Sequence, residues 1–302
     1  MATRIALWGL LCGLTLAVPA TACINHYDRD EATPHRARPD RPAEFIAQLK
    51  SHPEHDRMVA GPAPVDPGAG AHFRKRSDYA AVLIHRGESR KAVEILESIE
   101  KSNPGEYRVA ANLGTAYELS GELDKAKHWI REGMRRNPRS HHGTEWLHLR
   151  ILDARQALAR NPHWLKSNSV TGLDFGLEAK PRVPTSWPED SGSAEDVIRA
   201  LIYQLHERMA FVPAPDPLVG SLISDLGSML MIYRTVDVAI PVFDLALTYR
   251  PLGADRVTER KSLSEEIVRS RTDTHSDLRL MLIGIATLTI GAAAVLRLRQ
   301  AG

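Results

Sequence analysis

The sequence predicts an all-α chain of helical hairpins stacked side by side, with a disordered N-terminal linker before them and a membrane-spanning helix after them. Three observations predict it. A set of small and apolar residues recurs at a fixed interval of 34 positions. The windows around that set carry apolar residues at helical spacing. Aromatic residues make up only 6% of the chain, which fits Ala/Leu-rich helix packing better than a β-sandwich.

The chain has 302 residues, and its 43% hydrophobic content is enough for a buried core. A formal net charge of +2 gives no overall attraction to nucleic acid, so no nucleic-acid partner is expected. The two cysteines are Cys12 and Cys23. Cys12 lies in an apolar run, Ile5 to Val18, that follows Arg4 and precedes the small residues Ala20 and Ala22, the pattern of a secretory signal over residues 1–22. That run is too short to span a bilayer comfortably, so cleavage is the expected fate. The mature chain then owns one thiol and has no internal disulfide. Thr21-Ala22-Cys23 resembles the lipobox of bacterial lipoproteins, with Ala20 where leucine is usual. The resemblance implies a lipid on Cys23. The alternative is ordinary cleavage beside a cysteine.

Residues 23–72 are rich in Pro, His, Asp and Arg and are expected to be mostly disordered linker. One short helix fits at 42–51, where Phe45, Ile46 and Leu49 share a face behind Pro42. The repeat begins at 73. Leu83, Gly87, Ala92, Leu96 and Pro104 recur as Tyr117, Gly121, Ala126, Ile130 and Pro138, so residues 73–141 hold two copies. In the second, Ala110, Leu113, Gly114 and Tyr117 share a face of one helix. Leu123, Ala126, Ile130 and Met134 share a face of the next, and Gly121 stands at the turn. A further copy spans 220–253: Leu226, Gly227, Ala239, Phe243, Ala246 and Pro251 keep the internal offsets of Leu113, Gly114, Ala126, Ile130, Gly133 and Pro138, with Arg234 in place of the turn glycine. Between them, 142–219 reads as a diverged helical insertion, with helices at about 143–160 and 194–210 around a loop carrying Trp164, Leu165, Leu173, Phe175 and Trp187. Ser193 is placed as the cap of the second helix.

The period and its residue types resemble the tetratricopeptide repeat family over roughly a third of the chain. That resemblance implies a solenoid whose groove, lined by the first helix of each hairpin, takes a peptide or helix of a protein partner. Carried over by position, the groove residues are Arg74, Asp78, Arg108, Asn112, Thr115 and Glu118, with Asn112 placed to hold a ligand backbone. Asp78 and Ser77 stand where a basic clamp for a C-terminal carboxylate would need other groups.

A polar juxtamembrane helix is expected over 254–278. An uncharged apolar run from Leu280 to Leu296 then makes 279–297 a transmembrane helix, ahead of a short tail at 298–302. Arg297 and Arg299 on its far side favour a cytoplasmic tail. The alternative is a hydrophobic last helix packed on the repeats.

No catalytic motif emerges, and neither a cofactor nor a metal is expected. His141, His142 and His148 are close in sequence, with His142, Glu145 and His148 sharing part of a helical face, but the spacing differs from the i, i+4 pair of helical zinc sites and reads as a polar helix start. The basic run Lys125, Lys127, Arg131, Arg135, Arg136 and Arg139 reads as the solvated face of an amphipathic helix, with an acidic partner or anionic lipid headgroups as the alternative. The expected function is a non-enzymatic scaffold or adaptor attached to the periplasmic face of a bacterial membrane, the inner one on the evidence of its C-terminal run. The alternatives are a lipoprotein assembly factor anchored through Cys23 and, less favoured, an enzyme using the 142–212 region. Growth with radiolabelled fatty acid tests the lipid directly: label is expected in wild type and not in Cys23→Ser, and an unlabelled wild type ends the lipoprotein reading.

Overall fold

The structure is a computed structural model that describes residues 24–27 and 41–274, and among these residues it contains helices and no strand. In chain order the helices are α1 (Pro42–Leu49), α2 (Pro53–Ala60), α3 (Phe73–His85), α4 (Ser89–Ser102), α5 (Tyr107–Leu119), α6 (Leu123–Arg136), α7 (Glu145–Arg160), α8 (Ala194–Met209), α9 (Pro217–Tyr233), α10 (Val236–Thr248) and α11, helical over 254–274.

Two turns show why the interval of 34 recurs. Gly87 and Gly121 have φ of +80° and +87°, the left-handed region that costs glycine little. At each, the glycine amide donates to the residue three back, Ile84 or Glu118, and the next amide reaches five back, to Leu83 or Tyr117. This is one closing motif used twice, and it satisfies carbonyls at the helix end that would otherwise lack partners. Arg234 replaces the glycine in the downstream hairpin, and its φ of −130° needs no left-handed backbone, so that turn closes by another path.

Small residues set how closely paired helices approach. A methyl group on Gly114 would overlap Ile130 across the α5–α6 pair, and one on Gly227 would overlap Phe243 across α9–α10. Both contacts have the same sequence separation. Filling either gap would cost about 1–3 kcal/mol of overpacking.

Helices adjacent in sequence from α3 to α10 pack on one another, and two apolar cores result. Leu83, Leu96, Ile99, Leu113 and Ile130 anchor the core of α3 to α6, to which α7 contributes Leu152. Ile151, Leu201, Leu222, Leu226 and Phe243 anchor the core of α7 to α10. The loop between α7 and α8 joins the second core through buried Leu165, Leu173 and Phe175, with Trp164 and Trp187 packed against it. Ser193 and Asp196 start α8 with a reciprocal capping box, in which Ser193 N–H donates to Asp196 at 2.8 Å and Asp196 N–H donates to Ser193 at 3.3 Å. Buried Arg260 of α11 donates to the carbonyls of Phe175 and Gly176 and to Ser228 of α9, which fixes the last described helix to the same core.

The short helix expected at 42–51 is present as α1, and the expectation of an otherwise mostly disordered stretch over residues 23–72 is corrected in two places, at α2 and at 24–27. Helices α1 and α2 both begin with proline at the first position, where its missing N–H costs nothing. Phe45 and Leu49 of α1 are buried against α8 and α10, residues more than a hundred positions away. Arg86, at the end of α3, donates to the carbonyls of Met58, Val59 and Gly61, holding the C-terminus of α2 with a cation where the helix dipole favours one. The second place is 24–27, described below.

Among the described residues no helix is long and apolar enough to cross a membrane. The signal segment at 1–22, Cys23 and the apolar helix expected at 279–297 lie outside the described residues.

Candidate functional site

The first helices of the two upstream hairpins, α3 and α5, present polar side chains to one short stretch of extended backbone, and that stretch belongs to the chain itself. Residues 24–27, Ile-Asn-His-Tyr, lie across α3, α5 and the turn that leads into α7. The Asn112 side chain holds Asn25 at both ends of its backbone: Asn25 N–H donates to Asn112 Oδ1 at 2.7 Å, and Asn112 Nδ2 donates to the Asn25 carbonyl at 2.8 Å. With the segment in place, Asn112 is fully buried. Arg108 donates to the His26 carbonyl, and Tyr27 N–H donates to Asp78.

The side chains of the segment are also held. Asn25 is 4% exposed, and its amide oxygen lies 3.2 Å from His141 Nε2. The Tyr27 ring sits beside two guanidiniums, Arg74 at 5.5 Å and Arg108 at 5.1 Å from its centroid, within the range of a cation–π attraction. Its edge meets Phe73, and its hydroxyl donates to Glu106 at 2.8 Å. Burial first, and then this bond to a carboxylate, push the Tyr27 hydroxyl above its ordinary range. The His26 ring stacks on His85 at 5.9 Å.

Four of the six residues predicted for the groove, Arg74, Asp78, Arg108 and Asn112, therefore meet the segment. Thr115 is fully buried. Glu118 takes a different part. It is fully buried and accepts from His148 Nε2 at 2.7 Å, from Arg155 at 2.8 Å and from Arg208 at 3.3 Å. His148 Nδ1 faces Glu145 at 3.0 Å, and the other oxygen of Glu145 bonds His141 Nδ1. A continuous path thus runs from Arg155 and Arg208 through Glu118, His148, Glu145 and His141 to Asn25.

Both nitrogens of His148 face carboxylate oxygens, so the ring must donate twice and is an imidazolium. Burial alone would lower its pKa, but Glu118 and Glu145 outweigh that and raise it to about 9. Burial likewise pushes the Glu118 carboxyl up, and Arg208, His148 and Arg155 overcome it to hold the group at about 2. Glu145, also buried, is held well below its ordinary range by His141 and His148.

Of the neighbouring His141, His142 and His148, helical spacing groups His142 with Glu145 and His148, whereas the structure brings His141 to Glu145. His141, His142 and Gly143 all have positive φ, at 48°, 58° and 74°. Two consecutive non-glycine residues there cost roughly 1–2 kcal/mol each, and the turn they form brings His141 to Glu145. Nothing in the helical spacing reveals a left-handed turn, so the histidine one position earlier was hidden. Among the described residues no group of three or more His, Cys, Asp or Glu side chains is arranged to hold a metal ion.

The basic run on α6 is largely paired. Lys125 meets Glu122, Lys127 meets Asp153, Arg135 meets Glu132, and Arg136 reaches both Glu132 and Glu100. Arg136 in this way ties α6 to α4.

The scan against protein-family models found no match, and no curated protein matches the chain.

The buried network makes stability depend on pH. The His148 pKa is raised from 6.5 to about 9, so its contribution is complete below 6.5 and lost as pH rises through 9. Glu118 is lowered from 4.5 to about 2, so its contribution is complete above 4.5 and lost as pH falls through 2. Urea unfolding across this range is expected to show a loss on the alkaline side between 6.5 and 9. His148→Gln should abolish that limb and cost about 3–5 kcal/mol at neutral pH, because it strands two buried carboxylates. An unchanged alkaline limb in the variant would assign it to other groups.

Proposed function

We propose that this chain is a membrane-attached interaction scaffold of the bacterial cell envelope, built on tetratricopeptide-like hairpins, that holds an extended segment of a partner protein on the face formed by α3 and α5. The observation that carries the reading is the double hydrogen bond from Asn112 to one residue's backbone N–H and C=O. A side chain that pairs with main chain in this way recognises polypeptide as such, whatever its sequence. Arg108 and Asp78 extend the same main-chain recognition to the next two residues.

The solenoid part of the reading is supported by the two turns that close alike at Gly87 and Gly121 and by the matched Gly114–Ile130 and Gly227–Phe243 contacts. Attachment to the membrane rests on the apolar run from Leu280 to Leu296 and on Cys23. The residue that follows Cys23, Ile24, packs against the α3–α6 core, which favours the lipid-anchored form as the second reading, since a lipid there would tether the groove close to the bilayer.

Crosslinking in intact cells, followed by recovery of the captured protein from detergent extracts, tests the partner. Arg108→Ala with Asn112→Ala is expected to lose the captured protein while the chain stays helical by circular dichroism. Unaltered recovery from a folded double variant would remove the α3–α5 face from the proposal.

A further inference from the structure

We propose that residues 24–27 are an internal competitor for this face, and that the outside ligand shares their chemistry: an extended segment with asparagine at the deep position and tyrosine two residues later. This rests on the reading of the α3–α5 face as a partner site.

The contacts to main chain carry no sequence information, so selectivity has to come from positions 25 and 27. Asparagine fits the first through its side-chain oxygen, while its Nδ2 is buried with no hydrogen-bond partner among the described residues. The position is almost fully buried, His141 Nε2 faces the side-chain oxygen, and the Glu145 carboxylate stands behind His141. An aspartate would add a third carboxylate to a network that already holds Glu118 and Glu145. A leucine would bury an apolar group against His141 and remove its partner, which costs more than the bond itself contributes. Tyrosine fits the second because its ring lies beside Arg74 and Arg108 and its hydroxyl reaches Glu106. Phenylalanine keeps the ring contact and leaves Glu106 unanswered.

The resident segment makes a small interface of four residues, yet it is covalently attached. Attachment over a short tether gives an effective concentration on the order of millimolar. An outside segment therefore competes with a resident one at that concentration, and its apparent affinity falls by the fraction of the face left open. Weakening the resident segment without touching α3 or α5 should open the face.

The test uses the full chain in detergent and a fluorescent peptide, Ser-Ile-Asn-His-Tyr, read by anisotropy. The double variant Asn25→Ala with Tyr27→Ala is expected to bind the peptide at least about tenfold more tightly than wild type. A control peptide with leucine for asparagine should bind that variant at least about tenfold more weakly than the parent peptide. This control alters no protein residue, so it stays informative even where Asn112→Ala, a buried change, disturbs folding. Equal peptide binding by wild type and variant would overturn the competition. Equal binding of the two peptides would overturn the asparagine selectivity. A wild-type dimer that falls apart in the double variant would assign the segment to a second copy and overturn an internal role. Peptide failure with partner capture still dependent on Arg108 and Asn112 leaves the scaffold reading standing and removes only this inference. Peptide success with capture indifferent to those residues does the reverse.

Discussion

A carboxylate with no contact with water must be given its counter-charges by the fold, and Glu118 draws them from outside its own hairpin. Two come from α7, His148 and Arg155, and the third, Arg208, comes from α8. The region between the upstream hairpins and the downstream one is thereby tied to α5 by charge as well as by apolar contact. Leu152 of α7 does the same through the core of α3 to α6. Buried ion pairs are poor sources of net stability, since desolvation offsets most of the attraction. They are demanding about geometry, and here that demand fixes α7 and α8 against α5.

The same network reaches the segment. Glu145 shares itself between His148 and His141, and His141 turns towards Asn25. What happens at Glu118 is thus linked to what occupies the face. The left-handed turn at 141–143 is costly, and the cost is understandable if it brings an imidazole between a buried carboxylate and the segment on the surface. Asn112 completes the hold from the other side. Asn112, Arg108 and Asp78 meet the main chain, His141, Arg74 and Glu106 meet the side chains, and Arg108 serves both through the Tyr27 ring.

Much of this was legible in the sequence. The interval of 34 positions, the turn glycines and the small residues at 114 and 227 each report a steric need that a sequence must state openly, because few residues meet it. Asn112 was legible through its place on the first helix of a hairpin. Three features were not. Helix α2 lies in a stretch of polar and proline-rich composition, buries no residue of its own, and is held by Arg86 from the end of α3. His141 was hidden behind His142 because periodicity assumes a right-handed backbone. Glu118 was read as lining the groove because its helical position points that way. Its burial depends on Arg208, ninety residues later, and no local pattern announces such a partner.

The central claim is that the main chain of residue 25 is held by the side chain of residue 112. Amide hydrogen exchange, resolved by residue, tests it most directly. The Asn25 amide is expected to exchange slowly in the wild-type chain, and to reach the rate of an unstructured peptide in Asn112→Ala while the amides of α5 remain protected. An Asn25 amide that already exchanges at the unstructured rate in the wild-type chain would contradict the account.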